Sequence, residues 1–132
     1  MNVLVIIPTY NEKENLELIV SGIFSLNLPD LSILVVDDNS PDGTGAIADG
    51  LAGRYPGQLH VLHRAGKLGL GTAYLEGFRF ALARGFEAAC EMDADGSHDP
   101  EALRQLVAAV AGGADLAIGS RRVSGGRISG TT

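Results

Sequence analysis

With one cysteine in 132 residues, the chain can have neither an internal disulfide framework nor a zinc site built on several thiolates. That residue, Cys90, follows Ala88 and Ala89 in an apolar run. A free thiol in such a run is a packing residue, and a reduced, cytoplasmic setting suits it. No apolar stretch approaches the roughly 20 residues of a membrane span. Residues 1–7 are apolar, but they lack a basic leading segment and Pro8 follows at once. They read as a first strand and not as a signal peptide. Positive charge is also scarce: 10 Lys and Arg against 16 Asp and Glu leave a net charge of −6. Nucleic-acid backbones are bound through Lys/Arg patches, so nucleic acid is excluded as a general partner. Adhesion to an anionic membrane by charge alone is excluded on the same ground. Internal repeats and a dividing linker are absent as well.

What is present is enough for one α/β domain. Hydrophobic residues make up 45% of the chain and the mean hydropathy is slightly positive, so a core forms and disorder is not expected over most of the length. The 18 glycines point to tight strand-to-helix turns or to close ligand approach. Val3, Leu4, Val5, Ile6 and Ile7 form a continuous apolar run, as do Ile33, Leu34, Val35 and Val36. Such runs suit strands buried on both faces of a parallel sheet. Leu59 to Leu62 is a weaker third strand, Ala88 to Met92 a fourth and Ala114 to Ile118 a last. Between them the period changes to that of a helix. Leu16, Ile19, Val20 and Ile23 place a helix over about 12–26. A short helix is expected over about 43–53. Tyr74, Phe78, Ala81 and Leu82 mark one over about 70–84. Leu103, Leu106, Val107 and Val110 mark another, with Asp99 as its N-cap, Pro100 at its first position and Gly112 beyond its end. Alternating β and α elements predict a mostly parallel sheet with helices on both faces.

In such sheets ligands bind beyond the carboxyl ends of the strands, and the polar clusters fall there. They are Pro8-Thr9-Tyr10-Asn11-Glu12, Asp37 through Thr44, His63-Arg64 with Lys67 through Thr72, Asp93 through His98, and Gly119-Ser120-Arg121-Arg122. Helix N-termini point to the same edge and favour anions. Asp37, Asp38, Asp93 and Asp95 would crowd like charges on one rim. A divalent cation such as Mg²⁺ or Mn²⁺ removes that conflict, commonly with one or two carboxylates and substrate phosphates as ligands. The small Ala94 between Asp93 and Asp95 would admit a metal-bound diphosphate closely. A solvated turn is the plainer account of an isolated Asp-x-Asp. A calcium loop is excluded, because its sixth position would be His98 and its twelfth Arg104. Asp37 and Asp38 could cap the following helix, but Asp37 better suits a ribose or base hydrogen bond, whereas Asp42 suits an Asx turn before Gly43. The segment Lys67 to Thr72 lacks the ending of a P-loop, so turn and helix-start duty accounts for it equally. Arg121 and Arg122 are cations of the kind a diphosphate needs, although a solvated arginine accounts for either, and better for Arg122.

Together these motifs resemble family 2 glycosyltransferases of the GT-A fold, and among them the polyprenol (dolichol) phosphate mannose synthases. The resemblance runs from Val3 to about Arg121. It rests on Pro8 to Glu12, Asp37 to Thr44, Gly69-Leu70-Gly71-Thr72-Ala73-Tyr74, Asp93 to Pro100 and Gly119-Ser120-Arg121. It implies a nucleotide-sugar-binding domain over 1–122 and a flexible or truncated tail over 123–132. It further implies inverting, metal-dependent transfer of mannose from GDP-mannose to a polyprenyl phosphate, a hexosyltransferase activity. Pro8, Tyr10, Glu12, Val35 and Asp37 are implied to hold the guanosine portion. Asp93, Ala94 and Asp95 are implied to hold the diphosphate and Mg²⁺ or Mn²⁺, with Asp93 and Asp95 as the catalytic pair. Arg121 would contact the donor. Ser97 stands where many relatives carry Gln as a further metal ligand.

The lipid acceptor implies peripheral association with the cytoplasmic face of a membrane. Family domains continue beyond the point where this chain stops, so impaired transfer is expected. Two other functions fit the same motifs: a non-catalytic nucleotide-sugar-binding module, and a family 2 enzyme using UDP-glucose or another donor. A receiver-like domain fits less well, since its acidic pair would follow the first strand and not the second.

Overall fold

The computed structural model describes residues 2–28, 30–66, 70–92 and 104–105. Val3 through Ile7 is an unbroken apolar run, and such a run can be buried on both faces only at the centre of a sheet. It forms β1 (Val3–Thr9), with β2 (Leu31–Asp37) on one side and β4 (Ala88–Glu91) on the other. β3 (Leu59–His63) lies beyond β2, giving the order β3-β2-β1-β4 with every pair parallel. Along β3 burial thins to Leu59 alone, as befits the strand at the sheet's edge.

Connection geometry decides where the helices go. From β1 to β2 to β3 the chain moves outward in one direction, and right-handed crossovers then put both connecting helices on one face. Those helices are α1 (Leu16–Phe24) and α2 (Thr44–Arg54). From β3 the chain returns across β2 and β1 to reach β4, so the same rule sends α3 (Leu70–Ala83) to the opposite face. The core divides accordingly. Val3, Val5, Ile7, Ile33 and Val35 pack with Leu16, Val20 and Ile23 of α1 and Ala48 and Leu51 of α2. Leu4, Ile6, Leu34 and Val36 pack with Ala73, Tyr74 and Ala81 of α3. The period-2 alternation of a strand thereby fills two layers from one apolar run.

The expected parallel sheet with helices on both faces is present, and its boundaries sharpen the sequence reading. The first helix begins at Leu16, not near residue 12. Asn11 adopts a left-handed conformation at φ 58°, and the backbone N–H groups of residues 11–13 are taken by side chains of the next loop. A helix cannot propagate through such a segment. The expected fourth helix, the strand over 114–118 and the tail over 123–132 lie outside the described residues.

Candidate functional site

The strand order reverses between β1 and β4, and a sheet of this kind opens a crevice beyond its carboxyl edge at such a point. Two loops build the β1–β2 part of that edge. Pro8 is half-buried opposite Val36, and Thr9 lies opposite Asp37 in the register. Tyr10 follows at 37% exposure, presenting an aromatic ring at the rim. The next three N–H groups turn sideways into the β2–α2 loop. Asn11 N donates to Ser40 Oγ at 3.0 Å, Glu12 N to Thr44 Oγ1 at 2.9 Å and Lys13 N to Asp42 Oδ2 at 3.2 Å. Successive N–H groups around a left-handed residue form an anion-binding concavity. Here the concavity is filled from within the chain, and its result is a rigid double loop.

Asp42 is the structural anchor expected of it. It accepts from Thr44 N at 3.0 Å, the Asx turn, and from the Thr44 hydroxyl. Its pKa is held below the usual carboxylate value, first by the Thr44 hydroxyl and then, against a small burial cost, by the N–H groups of Thr44 and Lys13. Gly43 precedes α2 at φ 96°, a conformation glycine adopts without strain. Asp37 and Asp38 do not cap that helix.

Asp37 is 1% exposed. Its Oδ1 accepts from Thr9 Oγ1 and from Ser40 Oγ, both at 2.7 Å, and its Oδ2 accepts from Ser40 N at 3.1 Å. A Cβ on Gly45 would stand 3.0 Å from that Oδ2, so the first turn of α2 fits against the carboxylate only because residue 45 has no side chain. Val35, two residues earlier, is wholly buried in the α1–α2 layer. Its side chain supports the site's floor and does not reach the rim. Glu12 is half-buried, and its carboxylate accepts from Asn15 Nδ2 at 3.2 Å.

The adjacent carboxylate requires a correction. The sequence pattern groups Asp38 with the like charges whose conflict a divalent cation would remove. Instead Arg64 grips it, with Nε 2.6 Å from Oδ1 and Nη2 3.0 Å from Oδ2. The guanidinium also donates through Nη1 to Thr72 Oγ1 at 3.0 Å and Glu76 Oε2 at 2.9 Å. Asp38, ahead of Glu76, pushes the guanidinium pKa further up against the opposing cost of burial. The sequence places His63-Arg64 on this edge without a partner for Arg64, yet a signal for one is available. Asp37 and His63 are partners in the β2–β3 register, so the residues one step further, Asp38 and Arg64, are neighbours once the strand order is known.

Thus Pro8, Tyr10, Glu12 and Asp37 are brought together on one edge, with Val35 beneath them. Asp93, Ala94, Asp95, Ser97 and Arg121 lie outside the described residues. Among the described residues, no group of three His, Cys, Asp or Glu could hold a metal ion; the residues expected to hold Mg²⁺ or Mn²⁺, Asp93 and Asp95, are outside them. A cavity of about 420 Å³ lies at the opposite, amino edge of the sheet, lined by Ile23, Phe24, Leu28, Tyr55 and Gln58. It lies at the edge opposite Tyr10, Asp37, Asp42 and Arg64.

An open parallel sheet with helices on both faces and two interlocked polar loops at its carboxyl edge defines an α/β domain of the kind that takes ligands at that edge. Residues 4–131 match the family described as Glycosyl transferase family 2, and the chain belongs to it. It is 61% identical over 125 residues to a polyprenol monophosphomannose synthase of Mycolicibacterium smegmatis, covering 95% of this chain and 47% of that protein. It is 56% identical over 128 residues to an undecaprenyl-phosphate mannosyltransferase of Micrococcus luteus, covering 97% and 51%. Against a dolichol-phosphate mannosyltransferase of Pyrococcus furiosus the identity is 45% over 129 residues, covering 97% and 35%. The chain thus spans about half the length, or less, of these curated relatives. Among solved structures it is similar to the mannosyltransferase PcManGT from Pyrobaculum calidifontis in complex with GDP-Man and Mn²⁺. The TM-score there is 0.72 at 29% identity, covering 83% of this chain and 32% of that one.

Proposed function

We propose that the chain is the donor-binding part of a mannosyltransferase that moves mannose from GDP-mannose to a polyprenyl phosphate. The observation that carries this reading is the 61% identity to a polyprenol monophosphomannose synthase across 95% of the chain. The solved relative with GDP-Man and Mn²⁺ supports the choice of donor and of a divalent metal. In this reading Tyr10 and Glu12 border the guanosine, and Asp37, fixed by Thr9 and Ser40, is the preset acceptor beneath it. Fixing that carboxylate before the ligand arrives lowers the ordering cost of binding. Arg121 would meet the diphosphate.

Asp93 and Asp95 would hold Mg²⁺ or Mn²⁺, which when bound neutralises charge growing on the nucleoside diphosphate as it leaves. The acceptor needs no strong base. A phosphomonoester has its second pKa near 6 and is largely dianionic at neutral pH. Direct attack by that oxygen on the anomeric carbon inverts the sugar and expels GDP. The lipid acceptor places the reaction at a membrane, on its cytoplasmic face in our reading. No helix of the described residues is long and apolar enough to cross a membrane.

Calorimetric titration with GDP-mannose, UDP-glucose and GDP, with and without Mn²⁺, tests the proposal. Expected is Mn²⁺-dependent binding of GDP-mannose and GDP in preference to UDP-glucose, weakened by Asp95→Ala. Metal-independent binding unchanged by Asp95→Ala would sink the metal assignment, and preference for UDP-glucose would sink the donor.

A further inference from the structure

Arg64 has no part in the activity proposed above, yet its guanidinium is buried and bonded to several partners. Its side chain is 2% exposed. Its donor contacts include two to Asp38, one to Thr72 and one to Glu76. Its own backbone N–H donates to Asp37 O at 2.8 Å, extending the β2–β3 ladder past the strand end. Stability alone is a poor reason for such an arrangement. A buried ion pair loses in desolvation much of what it gains in attraction, and packed apolar side chains commonly do as well. What the guanidinium supplies that apolar packing cannot is a fixed planar geometry between its partners.

Those partners belong to different elements. Asp38 is the first residue beyond β2, tied to β1 by Asp38 N donating to Thr9 O at 3.1 Å. Thr72 and Glu76 occupy the first two turns of α3, the helix on the face opposite α2. Arg64 therefore spans from the loop that carries Asp37 to the beginning of α3. It also keeps two consecutive carboxylates apart. Asp37 lies against the first turn of α2, while Asp38 is drawn to Arg64 beside α3. The negative charge of Asp38 is thereby neutralised locally and is not added to the rim that a diphosphate must approach.

We infer that Arg64 is a positioning residue for nucleotide binding. Without touching the nucleotide, it holds the Asp37–Asp38 segment and the first turns of α3 in the arrangement the donor requires. The inference rests on the proposed donor-binding function. Arg64→Lys tests it, because the charge stays and the planar fork is lost. With the variant folded by circular dichroism, the dissociation constant for GDP in the presence of Mn²⁺ is expected to rise about tenfold, the worth of one charge-assisted hydrogen bond. Thr72→Val, which removes the hydroxyl that Arg64 Nη1 meets at an exposed position, is expected to raise it roughly fivefold with the unfolding midpoint little changed. It keeps the test available should Arg64→Lys fail to fold. Wild-type affinity in both variants would overturn the inference. If the wild-type chain bound neither GDP nor GDP-mannose, the proposed function would fall and the clamp would be read by hydrogen exchange. Faster exchange of the amides of residues 73–76 in Thr72→Val would support the clamp, and unchanged exchange would overturn it.

Discussion

Gly77 of α3 crosses β1 so closely at Ile6 that a Cβ at position 77 would stand 2.6 Å from Ile6 Cγ2, 2.8 Å from Cδ1 and 2.9 Å from Cγ1. Ile6 is wholly buried and its branched side chain has few rotamers to retreat into. The usual gain from replacing a helical glycine by alanine, about 0.5–1 kcal/mol, is therefore outweighed by overpacking, about 1–3 kcal/mol. Gly77→Ala is expected to lower the urea midpoint. In an Ile6→Ala background, which opens the space, the same substitution should be neutral or stabilising. An equal loss in both backgrounds would show that the contact is not the cause.

Acid sensitivity should have two identifiable sources. His60 lies on the α3 face with its ring 5.4 Å from that of Phe80. Burial, and then the charge of Arg84, lowers its pKa below 6.5. The unfolded chain therefore binds the proton more readily, so this contribution is present above the unfolded value and lost as pH falls through the lower folded one. Asp42 also has a lowered pKa, from its bonds to Thr44 and Lys13. Its contribution is present above the unfolded carboxylate value and disappears at still lower pH. His60→Phe should flatten the upper part of the thermal-midpoint profile, and Asp42→Asn the lower part. A single variant flattening both regions would contradict the separation.

Cys90 gives a probe of global opening. It is wholly buried on the α1–α2 side of β4, and burial, aided by the neighbouring Glu91 charge, pushes the thiol up to about 12. Thiolate is the reactive form, so the native protein should be inert to an aromatic disulfide reagent near neutral pH. Reaction in urea should follow the unfolding transition measured by circular dichroism. Rapid labelling in buffer alone would refute the burial.

The sheet was legible from pattern because burial on two faces demands uninterrupted apolar runs, and β1 and β2 consist of them. β3 looked weak in sequence because an edge strand is only half covered. The three loops that carry Asp37, Glu12 and Arg64 could be assigned to one edge from alternation alone. What pattern cannot express is which polar group each side chain finds. Asp42 was recognisable as a turn residue because its partner, Thr44, is two positions away. Asp38 was misread because its partner lies 26 positions away on the neighbouring strand's end. Likewise the late start of α1 follows from oxygens of Ser40, Asp42 and Thr44, which no local propensity of residues 11–15 encodes.

Gly45 offers the sharpest separation of stability from binding. It lies in the first turn of α2, where alanine is the better helix former by about 0.5–1 kcal/mol. A Cβ there would stand 3.0 Å from Asp37 Oδ2 and 3.2 Å from His63 Cε1. His63 is exposed and can move away, giving up an exposed contact to Asp49 that contributes little. Asp37 cannot move without loosening its bonds to Thr9 and Ser40. The strain should therefore fall on the carboxylate proposed to receive the guanosine portion. Gly45→Ala is expected to weaken GDP binding about tenfold, the loss of one hydrogen bond to a charged group, with a smaller loss of stability, because the helix-forming gain offsets part of the loosened bonds. Calorimetry and urea denaturation on the same preparation make the comparison. Undiminished GDP affinity would mean that Asp37 does not receive the nucleotide, and a fall in stability matching the fall in affinity would mean that α2, and not the carboxylate, had moved.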